Sequence, residues 1–175
     1  VSIPCTGGSS WQSLNASRGE QTRQRILEHK QLYSKLWTNL QKLATKLKQH
    51  DGMIAIEWPR HCTYWKQPEV EEFIREHKLK TTTFDVCRYG LMAKHGKDRG
   101  QPIKKPWRVD TNMPELLPLL SKRCNHDPST HARCSGYDTR LSEQYTEEIV
   151  DHIHAALKQH CKAYESANHK TTKAN

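Results

Sequence analysis

Met53-Ile54-Ala55-Ile56-Glu57-Trp58-Pro59 is the stretch on which the fold turns. Four apolar residues run into a carboxylate, and Pro59, which has no N–H, stops any further ladder. An uninterrupted apolar run punctuated by Gly52 and Pro59 predicts a strand buried on both faces, as in a parallel sheet. Glu57 then sits at the carboxyl end of that strand, on the rim where open α/β sheets hold their ligands. The competing role for Glu57 is to cap the next turn or to pair with an arginine.

Working outward, Val1-Ser2-Ile3 reads as the stub of a strand. It is followed by a small-residue loop, Pro4 to Ser10, with paired glycines. From Gly19 to His50 apolar residues recur at three- and four-residue steps, which predicts a long amphipathic helix closed by Gly52. On the other side, Pro68 opens a helix to about His77, with Glu69, Glu71 and Glu72 in its first turn. Thr81 to Val86 is β-branched and reads as a strand. Residues 94–106 read as a mobile basic loop, and Trp107 to Asn112 as the return strand of a hairpin. A short helix at about Pro114 to Lys122 precedes a Cys/His-rich loop. Thr146 caps a last helix with Ile149, Ile153 and Leu157 on one face. The alternation predicts an α/β fold: a partial, Rossmann-like, methyltransferase-type sheet, mostly parallel, with a terminal antiparallel hairpin. Residues 1–164 form the single expected domain, and 165–175 a frayed basic tail.

A chain of 175 residues can bury a core, although its mean hydropathy of -0.93 is low for a compact enzyme. A net charge of +9 favours a polyanionic partner, nucleic acid before an acidic membrane surface. No apolar run approaches the roughly 20 residues that a membrane span needs. The absence of a leader pattern and the irregular spacing of the six cysteines predict reduced thiols in the cytosol or nucleus. The start at Val1 suggests a fragment or a processed piece.

In a parallel sheet, Cys5, Glu57 and the Cys87-Arg88-Tyr89-Gly90 stretch would converge on one rim. A thiolate nucleophile beside a carboxylic acid suits covalent attack on an electron-poor heterocycle. Here the chain resembles the DNA cytosine-5 methyltransferases. Ser2-Ile3-Pro4-Cys5-Thr6 is similar to their Pro-Cys motif, Ile56-Glu57-Trp58-Pro59 to their Glu-Asn-Val motif, and Tyr89-Gly90 to their Tyr-Gly motif. A more particular resemblance, over residues 1–160, is to methyltransferase-like proteins of phages and retroelement-derived open reading frames. Its counterparts are Cys87-Arg88-Tyr89-Gly90, Lys105-Pro106-Trp107-Arg108 and Thr111-Asn112. The resemblance implies that Cys5 attacks C6 of a cytosine, that Glu57 holds N3, and that Arg108 or Arg88 supports the flipped base. It also implies S-adenosylmethionine as methyl donor, yet the chain has no glycine-rich turn followed by an acidic ribose ligand. Thr6 and Trp58 also depart from the family, which has Gln and Asn at those places. The cofactor-binding half of the fold would lie outside this sequence.

A second constellation, Cys124-x-His126-x4-His131-x2-Cys134, offers two thiolates and two imidazoles, a ligand set for tetrahedral zinc. A third is basic and aromatic. Arg60, Tyr64, Trp65, Arg88, Lys104 and Lys105 suit phosphate contact and base stacking on DNA. Two functions follow: a cytosine-5 methyltransferase-like protein, active or not, or a zinc-stabilised nucleic-acid-binding protein of a mobile element without enzymatic activity.

Overall fold

The computed structural model describes residues 1–172, with side chains through residue 166; 173–175, the end of the expected tail, lie outside the described residues. Among the described residues, six α-helices and three strands follow one another. They are α1 (Gln12–Ala16), α2 (Glu20–Lys48), β1 (Ala55–Pro59), α3 (Pro68–Glu76), β2 (Lys80–Asp85), β3 (Pro106–Thr111), α4 (Leu116–Leu119), α5 (Tyr137–Leu141) and α6 (Glu147–Thr172). Helix α2 forms because Ile26, Tyr33, Trp37, Leu40 and Ala44 fall on one buried stripe. Its left-handed closing residue is Asp51 (φ 51°), not Gly52 as expected. Gly52 is required instead by close approach, since a Cβ there would meet Leu47 at 2.8 Å. Thr146 caps α6 as expected, its hydroxyl accepting the Ile149 N–H at 3.4 Å. Of the residues expected on one face of α6, Ile149 is buried but Leu157 is 47% exposed, and Ala156 is buried beside them.

The expected mostly parallel, Rossmann-like sheet is not what forms. The sheet has three strands in the order β1-β3-β2, all antiparallel to their neighbours. The start of β1 meets the end of β3, with Asn112 N–H on Ile54 O at 3.2 Å. Just beyond the end of β2, Val86 N–H reaches Lys105 O at 3.0 Å, beside the start of β3. The β-α-β alternation is real, but the returning strand inserts between β1 and β2 rather than adding at an edge. A central strand must be buried, and Trp107, Val109, Asp110 and Thr111 of β3 are. Strand β1 reads as two-sided because its free edge is covered: Glu57 N–H donates to Val1 O (3.2 Å) and Trp58 Nε1–H to Ile3 O (2.7 Å).

The chain divides into two compact units, Val1–Thr81 with Arg108–Asn112, and Thr82–Trp107 with Met113 onward. The first is built on aromatic rings. Tyr33 stacks on Tyr64 with centroids 3.7 Å apart, Trp58 meets Trp65 at 4.7 Å, and Trp37 meets Phe73 at 5.1 Å. The paired glycines of the N-terminal loop serve this core. A Cβ on Gly8 would lie 2.8 Å from Cys62 Sγ and from the Tyr64 ring. The second unit packs Phe84 edge-on against Tyr89 and Trp107. The Tyr89 hydroxyl donates to Leu119 O (3.0 Å) and accepts the Lys122 N–H (2.9 Å).

Candidate metal centre

Strand β2 ends at Asp85, and the chain turns at once through a 3-10 segment, Val86–Tyr89. Gly90, at φ 83°, permits the sharp exit. This turn buries the Cys87 thiol. The Cys/His-rich loop comes back to the same place because Asp85 N–H donates to Lys122 O (3.0 Å) and Asp85 Oδ2 accepts the Cys124 N–H (2.8 Å). Arg88 donates to Arg123 O at 3.3 Å and to the Asn125 side chain, pinning the loop from the other side. Beyond Cys124, Asp127 turns the chain by accepting Ser129 N–H (2.8 Å) and Ser129 Oγ–H (2.6 Å).

The result is a cluster of four metal-ligating side chains, Cys87, Cys124, His126 and His131, whose ligand atoms all lie within 4.8 Å of one another. Cys124 Sγ is 3.4 Å from His126 Nδ1 and 3.2 Å from His131 Nε2. A tetrahedral ion bound at about 2.3 Å to sulfur and about 2.0 Å to nitrogen separates its ligand atoms by roughly 3.3–3.8 Å. The two sulfur–nitrogen separations lie close to that range, and all four ligand atoms are near enough to converge on one ion. Burial, and then the neighbouring Cys124 thiol, push the Cys87 thiol up to about 12. A cation at the centre of the cluster supplies the charge that lets such a thiol ionise.

Three of the four residues are those expected from spacing. The fourth is not: Cys134 is exposed, with Sγ 3.3 Å from Ser142 Oγ, and Cys87 takes the place assigned to it. Local spacing missed Cys87 because it lies 37 residues before Cys124 in the sequence, on another element. The available signal was a cysteine two residues after a strand that ends in a carboxylate.

The other candidates fall differently. Cys5 is half-buried before the 3-10 turn Thr6–Gly8, and Glu57 is buried in β1, accepting the Ser2 hydroxyl at 3.3 Å. Both lie near Cys62, whose thiol burial drives up to about 12, with Cys5 and Glu57 adding to the effect. Arg108 is committed. Its guanidinium holds the fully buried Asp110 through two 2.7 Å bonds and lies 4.2 Å from the Trp65 ring centroid. Tyr64 and Trp65, read as base-stacking platforms, are buried in the aromatic core. Lys105 Nζ donates to Ser142 O (2.7 Å) and Ser142 Oγ (3.0 Å), while Arg60 and Lys104 are exposed. Among the described residues no strand delivers a glycine-rich turn to a helix N-terminus, the arrangement expected to hold S-adenosylmethionine.

No protein-family model, curated protein or solved structure matches this chain. No helix of the described residues is long and apolar enough to cross a membrane.

Proposed function

We propose that the chain is a zinc-stabilised nucleic-acid-binding protein rather than an enzyme. The observation that carries this reading is the convergence of Cys87, Cys124, His126 and His131. Two thiols and two imidazoles whose ligand atoms lie within 4.8 Å of one another favour zinc over harder cations. Four protein ligands leave no open position for a substrate or an activated water, so the ion's role is to hold the loop. Nucleic acid is the partner because the chain carries a net charge of +9. A methyltransferase rim would need adjacent parallel strand ends, and β3 lies antiparallel between β1 and β2 instead.

The test is metal content and cobalt spectroscopy on the purified chain. The expected result is one zinc per chain, and on cobalt substitution the visible absorption of a tetrahedral thiolate site. Cys87→Ser loses that signal and Cys134→Ser keeps it. The opposite pattern, or no bound metal, sinks the zinc half of the reading. Failure to bind DNA or RNA at low salt sinks the other half.

A further inference from the structure

The two sulfurs of the Cys/His cluster are unequally placed. Cys87 is 4% exposed in the turn after β2, whereas Cys124 is only half-buried on the loop. Their Sγ atoms lie within 4.8 Å of each other. A disulfide holds its sulfurs about 2.0 Å apart, so the pair has no more than about 3 Å to close. An oxidant arriving from solvent meets Cys124 first and finds Cys87 within reach of it. An accessible thiol poised next to a resolving thiol is the arrangement of a redox-sensing pair.

Protein atoms alone hold these two cysteines together. Asp85, two residues before Cys87, accepts the Cys124 N–H at 2.8 Å and donates its own N–H to Lys122 O at 3.0 Å. The histidine half of the loop is tied differently. Between His126 and His131 the chain bonds within itself, Asp127 accepting Ser129 N–H at 2.8 Å and Thr130 Oγ1–H at 2.7 Å. Among the described residues no other thiol shares a cluster of metal-ligating groups. Cys134 and Cys161 are exposed, with Cys134 Sγ 3.3 Å from Ser142 Oγ.

We infer that Cys124 and Cys87 form an oxidation-sensitive pair, in which a disulfide between them takes the place of the metal ion. The inference deepens the zinc reading above and rests on it. With a hydroperoxide as oxidant, the Cys124 thiolate attacks one oxygen. The O–O bond breaks, and the departing hydroxide takes up a proton and leaves as water. The Cys87 thiolate then attacks the sulfur of the sulfenic acid so formed. The S–S bond forms, the S–O bond breaks, and a second hydroxide takes up a proton and leaves as water. The two sulfurs together give up the two electrons that reduce the peroxide. Zinc departs as the divalent ion, because the thiolate is the ligand and a disulfide has none to offer. The loop stays tied at Cys124, while His126 and His131 lose their anchor.

The test treats the zinc-loaded full chain with hydrogen peroxide, reads zinc release with a chromogenic chelator and maps disulfides by peptide mass spectrometry. One Cys87–Cys124 bridge is expected for each zinc released, and dithiothreitol with added zinc is expected to reverse both. A chain carrying Cys134→Ser and Cys161→Ser, which lacks the two exposed thiols, is expected to release zinc at a rate within twofold of the unmutated chain. Zinc release that fails in this variant assigns the reaction to an exposed thiol and overturns the pair. Release with no Cys87–Cys124 bridge, or zinc retained while Cys161 is oxidised, overturns the pair and leaves the zinc reading standing. A chain that neither holds zinc as purified nor takes it up overturns both.

Discussion

Arg108 is the residue whose sequence reading and structural setting differ most. Expected to support a flipped base, it neutralises Asp110 in the middle strand of the sheet and stacks on Trp65. A buried carboxylate that loses its partner costs about 3–5 kcal/mol. Arg108→Ala is therefore expected to lower unfolding stability by that amount in urea denaturation. The paired change Arg108→Met with Asp110→Leu is expected to cost much less, because it leaves no unpaired charge. A single variant as mild as the pair would mean that Asp110 has other support. Gly8 makes the second prediction at this scale. Its Cβ would overlap Cys62 and Tyr64, so Gly8→Ala is expected to cost about 1–3 kcal/mol by overpacking. A midpoint unchanged in the same assay would show that Tyr64 can shift.

At the scale of elements, the aromatic core couples stability to alkaline pH. Burial raises the Tyr64 hydroxyl from an ordinary value near 10 to about 12, and the Cys62 thiol from near 9 to about 12. The folded chain thus keeps protons that the unfolded chain gives up. This stabilisation is full below pH 9 and is lost as pH rises toward 12. The urea midpoint is expected to fall steadily across that window, and Tyr64→Phe with Cys62→Ala to flatten the fall. A profile equally steep in the double variant would assign the effect to other groups. Helices α2, α3 and α6 and all three strands were legible, because periodicity, Pro68 and Thr146 are local signals. Strand order was not. Hydrophobic pattern says that Ile56 and Val109 are buried, but not which strand lies beside which. The metal site follows the same rule: Cys124, His126 and His131 share one loop and could be read from spacing, whereas Cys87 is brought in by Asp85 and the turn after β2.

At the scale of the whole molecule, the two units depend on different forces. One holds together by aromatic packing, and the other carries the Cys/His cluster that could hold a metal ion. Chelation is expected to raise amide hydrogen exchange by at least tenfold across residues 122–133 while α2 keeps its protection. Uniform loss of protection in both regions would show that the ion supports the entire fold rather than its own loop.

The position of β3 also sets an order of events during synthesis. Strands β1 and β2 leave the ribosome first, and the strand that bonds to both comes last, ending at Thr111. Until it arrives, each of them presents an unpaired edge capable of capturing another chain. The sheet is closed by its most distant partner, so β1 must wait for residues some fifty positions downstream, from Pro106 onward. The Val1–Ile3 segment that lies along one edge of β1 then acts as an early guard, in place before its permanent neighbour has been made.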